Sequence, residues 1–381
     1  MRPQTFIIGG GFAGLRAVKG LARANTDVTL IDPSPATTML PALPDVAGGW
    51  VPERLARRSL GELLPSHVRH VQQSVSCIDL DAHAVVAGGE PLAYDHLLIA
   101  AGSAPDFQGA PFPRDRMHPL ATLDDARRIR LDFNAYLQET AHPQVLVAGT
   151  GYTGLELAMS LHFRAEASGK PCGVLLVDPS PILLPSLPEK RRQYVLDFLT
   201  ERGVDVRLGV AVESFDGRDA VAGGKTLAHV FFCWAAGSAF AVPKVIGNVE
   251  RLRDGRLKVS PDLSLPNYPD VFAAGDSAAV IRHGQPLRKA VNFAFHGGLH
   301  AGRNLARRLR GKPTRPFRPA DLGWVVPFRE TSLGRLPFGL WVRGRLGVRL
   351  HHLMCGVRNY SFGNFAGFLK LALDPSKGES T

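Results

Sequence analysis

A strand, a glycine turn, a helix and a second strand closed by an acid occur twice in this chain, and the repeat limits the possible folds more than any other feature. The first copy runs from Phe6-Ile7-Ile8 through Gly9-Gly10-Gly11-Phe12-Ala13-Gly14 into a helix from Leu15 to Ala24, then along Val28-Thr29-Leu30-Ile31 to Asp32. The second runs from Val145-Leu146-Val147-Ala148 through Gly149-Thr150-Gly151-Tyr152-Thr153-Gly154 into a helix from Leu155, then along Val174-Leu175-Leu176-Val177 to Asp178. Matching stretches, VTLIDPSP from Val28 and VLLVDPSP from Val174, occupy the same place in each copy.

Strands joined through helices predict an α/β protein with two Rossmann-like dinucleotide-binding domains. Gly9 permits the tight turn, Gly11 lets backbone approach a pyrophosphate, and Gly14 allows helix to pack on strand, with Ala13 between them. The helix N-terminus then offers free N–H groups and a favourable dipole to phosphate. Asp32 is placed to accept hydrogen bonds from a ribose diol. Gly149, Gly151 and Gly154 repeat these roles, and Asp178 favours a free 2′-hydroxyl, so NADH is preferred over NADPH. Arg191 and Arg192, nearby in sequence, moderate that preference. Glu156 is either a carboxylate complementing the helix dipole or a group beside the reacting rings.

Other strands deliver backbone to the same region. They are Tyr94 to Gly102, which ends in the small residues Ala100, Ala101 and Gly102, Phe231 to Gly237, and Val271 to Asp276, which ends in Gly275 and Asp276. A helix is predicted around Ala121 to Thr140.

With 381 residues and 45% apolar content, the chain exceeds one core and supports two domains. Only Met1 to Thr5 precede the first strand, so no secretory leader is expected, and no apolar run is long enough to span a bilayer. Cys77, Cys172, Cys233 and Cys355 lack any CxxC pair or zinc-ligand spacing, so neither a metal nor a redox disulfide is expected, and a meeting of Cys172 with Cys355 would require the fold to bring them together. The net charge of +11 is concentrated, with ten Lys or Arg and no acid between Arg282 and Arg318. That tract suits anionic lipid, nucleic acid or solvent.

Together these features resemble the two-dinucleotide flavoproteins of the pyridine nucleotide-disulfide oxidoreductase superfamily, and within it the type II NADH:quinone oxidoreductases. The resemblance rests on IIGGGFAGL from Ile7, LPDVAGGWVPERL from Leu43, HVQQSVSCIDLDAHAV from His70, YDHLLIAAGS from Tyr94, GTGYTGLELA from Gly149, FCWAAG from Phe232 and VFAAGDSA from Val271. It implies an FAD-binding domain over 1–115 and 241–320, an NADH-binding domain over 116–240 and a C-terminal acceptor and membrane-association segment over 321–381. It further implies that Gly275 and Asp276 hold the flavin's ribityl chain near the pyrophosphate, that Val75 meets adenine, and that Glu156 lies by the nicotinamide-flavin junction.

The chain departs from the family where the acceptor would bind. A run of Ala-Gln-x-x-x-Gln-Gln is replaced by Val291-Asn292-Phe293-Ala294-Phe295-His296-Gly297, and Ala101 stands where Thr is common. His296 is either a group that hydrogen-bonds or protonates a quinone, or a helix histidine satisfied internally. From Leu336 to Leu373, aromatic and aliphatic residues alternate with Arg, a pattern suited to an amphipathic segment in a bilayer interface or packed on protein, including a homodimer partner.

The resemblance thus implies a peripheral enzyme on the cytoplasmic face of the membrane, passing electrons from NADH through FAD to a quinone. Two further readings stay open: a soluble reductase of a small acidic carrier such as a rubredoxin or ferredoxin, and a redox-linked nucleic-acid binder using the basic tract.

Overall fold

A computed structural model describes residues 2–242, 244–359 and 361–374. It divides into two compact units, each assembled from separated stretches. The first comprises residues up to Thr37, Arg58–Ala104 and Ser238–Leu322; the second comprises Thr38–Arg57, Pro105–Gly237 and the described residues from Gly323 onward. Residues 38–57 therefore leave the first unit's chain and fold with the second. The last part of the 321–381 segment, residues 375–381, lies outside the described residues.

The first unit centres on a six-stranded sheet. Strand Gln4–Ile8 pairs in parallel with Asp27–Ile31 on one side and His96–Ile99 on the other, and Tyr268–Ala273 pairs in parallel with His96–Ile99. The register sets Ile8 opposite both Ile31 and Ile99. All four strands therefore end at one edge, where ligands bind in open parallel sheets. Their buried runs are nearly continuous in apolar residues, as strands covered on both faces require. A four-stranded sheet containing Val75–Asp79 shares a core of Ile78, Leu80, Val85 and Tyr94 with the main sheet.

Helix Phe12–Leu21 packs against helix Val291–Arg308 with almost no space between backbones. A Cβ on Gly298 would lie 2.0 Å from the Ala13 carbonyl oxygen, and one on Gly302 would lie 2.4 Å from that of Ala17. Two glycines four residues apart thus form one bare stripe on the longer helix.

The second unit has a five-stranded parallel sheet with Phe231–Trp234, Gln144–Ala148, Gly173–Asp178 and Val204–Leu208 side by side. The helix expected near Ala121 to Thr140 spans Leu123–Glu139. A capping box fixes its start: Thr122 accepts from the Asp125 N–H while Asp125 accepts from the Thr122 N–H.

After Gly323 the chain forms a three-stranded antiparallel sheet, Trp324–Phe328, Thr331–Arg335 and Trp341–Arg343, then helices Arg345–Val357 and Phe362–Leu373. The amphipathic reading of Leu336 to Leu373 therefore holds for its helices only. Val342 is buried on a strand, and Gly344, at φ 71°, breaks the chain before the first helix begins.

Candidate active site

Each glycine turn leaves its parallel strand at the sheet's ligand-binding edge. Gly9 sits at φ 102° with a would-be Cβ 2.2 Å from the Ala100 carbonyl oxygen, so any side chain there would strike the neighbouring strand's exit. Gly14 faces the Gly9 carbonyl, which a Cβ would approach to 1.8 Å. Gly11, in contrast, has nothing within 4 Å of where a Cβ would stand. It caps helix Phe12–Leu21 in extended conformation and bares the first N–H groups. A pyrophosphate fits that open, positively poled position.

The second turn repeats this geometry residue for residue. Gly149 has φ 105° and a would-be Cβ 2.5 Å from the Ala235 carbonyl oxygen; Gly154 meets the Gly149 carbonyl at 1.9 Å; Gly151 again faces open space.

The two acids are held alike. Asp32 accepts from the Gly10 N–H at 2.6 Å and the Ser34 N–H at 2.8 Å. Asp178 accepts from the Thr150 N–H at 2.8 Å, the Thr150 hydroxyl at 3.0 Å and the Ser180 N–H at 2.8 Å. Each carboxylate is thereby locked beside its glycine turn with lone pairs remaining for a ribose.

Ala101, Gly102, Gly275 and Asp276 follow adjacent strands of the first unit, so that edge gathers them with the Gly9 turn. Ser277 accepts from the Gly102 N–H at 3.2 Å, and the Ser103 hydroxyl donates to Asp276 at 3.2 Å. Burial raises the Asp276 carboxyl above its ordinary value, an effect opposed by the Lys289 charge. Lys289 is itself tied to the Ser238 carbonyl at 2.6 Å and to Asp254 at 3.5 Å. A cavity lies here, lined by Gly275, Asp276, Lys289, Phe293, Ala294 and Gly297 among others. Val75 lies on the smaller sheet, paired with Ala87, and packs against the core that contains Ile8, Ile31 and Ile99.

Asn292 and His296 fall on helix Val291–Arg308. Asn292 is buried and donates to the Ala320 carbonyl at 2.7 Å, while its Oδ1 has no hydrogen-bond partner. His296 is half-buried and meets Phe295 edge-on, ring centres 5.6 Å apart. Gly237, at φ 124°, lies three residues beyond the end of strand Phe231–Trp234, which neighbours the Gly149 turn, and accepts from the Asp106 N–H at 3.2 Å.

Glu156 lies on helix Tyr152–Ala167, within the second unit. Burial pushes its carboxyl well above the ordinary range, and the Asp45 charge pushes the same way. Asp45 was not singled out in the sequence, although the stretch that contains it was; a lone acid in a Pro- and Gly-bounded segment carries no spacing signal.

The basic tract is partly consumed by the protein itself. Arg308 pairs with Asp270 at 3.0 Å, Arg288 with Asp321 at 2.7 Å, and Arg282 and Arg307 donate to the Pro319 and Pro313 carbonyls. Cys233 and Cys355 are buried and Cys172 is partly so; all four cysteines are free thiols.

Residues 3–295 match the pyridine nucleotide-disulphide oxidoreductase family. The chain belongs to that family. It is therefore an oxidoreductase with two nucleotide-binding units. It is 29% identical to the type II NADH:quinone oxidoreductase Ndh of Mycobacterium tuberculosis, covering 92% of this chain and 84% of that protein. An NADH dehydrogenase-like protein of the same species is 30% identical over 85% of this chain and 84% of its own length. Among solved structures, NDH2 of Plasmodium falciparum in complex with NADH superposes with a TM-score of 0.83 at 15% identity, covering 97% of this chain and 98% of that one. That likeness is one of fold.

Proposed function

We propose that this family member is an FAD-dependent NADH dehydrogenase that passes two electrons to a quinone. The first unit would hold FAD and the second NADH. The observation that carries the reading is the pair of cradles: Gly11 and Gly151 both open, and Asp32 and Asp178 both locked beside them. The names of the two mycobacterial relatives support NADH as donor, and that of Ndh supports quinone as acceptor.

Bound FAD supplies the hydride acceptor and two-electron donor that no side chain can replace. The residues supply position and protons. Gly9, Gly11, Ala13 and Gly14 bring backbone N–H groups to the FAD pyrophosphate, and Asp32 accepts from its ribose. Val75 offers backbone to adenine, while Ala101, Gly102, Gly275 and Asp276 border the ribityl chain. Gly149, Gly151, Gly154 and Gly237 make room for NADH, and Asp178 accepts from its ribose hydroxyls and repels a 2′-phosphate.

Reducing a quinone to a quinol takes two electrons and two protons; NADH brings both electrons with one proton, so one further proton must come from solvent. Glu156, whose carboxyl burial pushes well above its ordinary range, is the candidate proton carrier on the donor side, and His296 is the candidate donor on the acceptor side.

Quinones dissolve in lipid, so the enzyme must reach a membrane. No described helix is long and apolar enough to cross one. A peripheral seat is supported by the C-terminal segment, where Phe338 is fully exposed and Leu340, Leu346, Phe362 and Leu373 are mostly so.

The test is steady-state turnover with alternative partners. NADH oxidation should depend on a short-chain quinone and should be slow with NADPH. Turnover with a rubredoxin- or ferredoxin-type carrier and none with quinone would overturn the reading.

A further inference from the structure

Asp45, His351 and His352 are each buried in the second unit, and one ligand atom from each lies within 4.8 Å of the others. Asp45 comes from the short helix Leu43–Ala47, and the two histidines are successive residues of helix Arg345–Val357. The fold alone joins them, since the stretches are far apart in sequence.

His351 is held by hydrogen bonds to the Val325 and Pro41 backbone, but His352 is not accounted for as ordinary core. The Nδ1 of His352 has no hydrogen-bond partner although the residue is only 3% exposed. A buried nitrogen without a partner destabilises the fold unless something binds it. The His351 and His352 rings stand nearly perpendicular, centres 5.5 Å apart, so their nitrogens can converge from different directions. The Cys355 sulfur lies 3.6 Å from His351 Nε2. Asp45 interacts electrostatically with Arg329, whose guanidinium stacks over Trp50 at 3.8 Å.

Two imidazoles and one carboxylate form a donor set for a borderline divalent cation, with a thiol next to it as a further soft donor. We propose that Asp45, His351 and His352 form a binding site for a zinc-class divalent metal ion. The ion would satisfy His352 Nδ1 and share the Asp45 carboxylate with Arg329. It would also clamp the 38–57 stretch to the C-terminal helix within this unit.

The test uses the full purified protein, dialysed against chelator and then titrated with Co(II) and displaced by Zn(II). One equivalent of Co(II) per chain should give visible d–d absorption that Zn(II) abolishes, and Zn(II) should raise the melting temperature. Asp45→Asn, nearly isosteric, and His352→Gln should each weaken binding at least about ten-fold, with circular dichroism unchanged. If His352→Gln does not fold, Asp45→Asn alone decides. Absence of d–d absorption, or equal affinity in Asp45→Asn and the unaltered protein, would overturn the site and assign any binding to exposed histidines.

Discussion

Asp178 binds Thr150 twice, accepting from its backbone N–H at 2.8 Å and from its hydroxyl at 3.0 Å, so the acid that would read the ribose also fixes the turn that would receive the pyrophosphate. Replacing Asp178 with Ala should raise KM for NADH about 10- to 100-fold, as loss of a charge-assisted pair of hydrogen bonds implies. It should also narrow the gap between NADH and NADPH, because the charge that repels a 2′-phosphate is gone. Steady-state kinetics with both donors measures this, and an unchanged donor ratio would exclude Asp178 as the selector.

Gly298 tests the packing beneath the first cradle. Its Cβ would meet the Ala13 carbonyl oxygen at 2.0 Å, and backbone cannot step aside cheaply. Gly298→Ala should cost about 1–3 kcal/mol of stability and release flavin. The melting temperature and the flavin retained through gel filtration are the readouts. Gly311→Ala, at φ 63° but with open space around it, should retain flavin while losing some stability to backbone strain.

Much of this was legible in the sequence because its causes are local. A glycine needed at φ 102° or 105° is demanded by the turn itself, and a strand-ending acid needs only the preceding apolar run to be placed. The helix limits were less legible: helix Phe12–Leu21 begins three residues before Leu15, since Gly11 rather than Gly14 supplies its cap. The buried trio of Asp45, His351 and His352 was invisible for a different reason. Its members share no spacing and meet only when a sheet-and-helix segment folds against residues 38–57. The C-terminal segment misled in part, because aromatic and Arg residues suit strands as well as amphipathic helices, and Gly344 alone marks the change.

Glu53 should govern part of the acid stability of the second unit. Its carboxylate accepts from Arg127 at 2.7 and 3.0 Å and from Arg130 at 2.9 Å. The Arg127 hydrogen bond holds it below its ordinary value of 4.5, against the opposing effect of burial. The native state therefore binds fewer protons than the unfolded chain below that value, so the stabilisation is complete above it and is lost as pH falls through the native value. Glu53→Gln should destabilise by about 1–3 kcal/mol at neutral pH, with the difference shrinking in acid. Denaturant unfolding at a series of pH values checks the sign.

Exposed apolar residues of the C-terminal helices should set vesicle binding. Leu346 is 61% and Phe362 86% exposed, and each buried in lipid would contribute about 1.5–3 kcal/mol. The double variant Leu346→Ser, Phe362→Ser should lower partitioning onto anionic vesicles at least about ten-fold while leaving flavin content unchanged. Co-sedimentation measures it; equal partitioning would remove this segment from the membrane contact.

The most direct test of the electron path is anaerobic stopped-flow absorbance of the purified yellow protein, mixed first with NADH and then with a short-chain quinone in lipid vesicles. Rapid bleaching of the flavin by NADH, followed by equally rapid recovery of its colour on adding quinone, is the predicted result. A protein that carries no flavin, or a reduced flavin that quinone leaves bleached, would contradict the account.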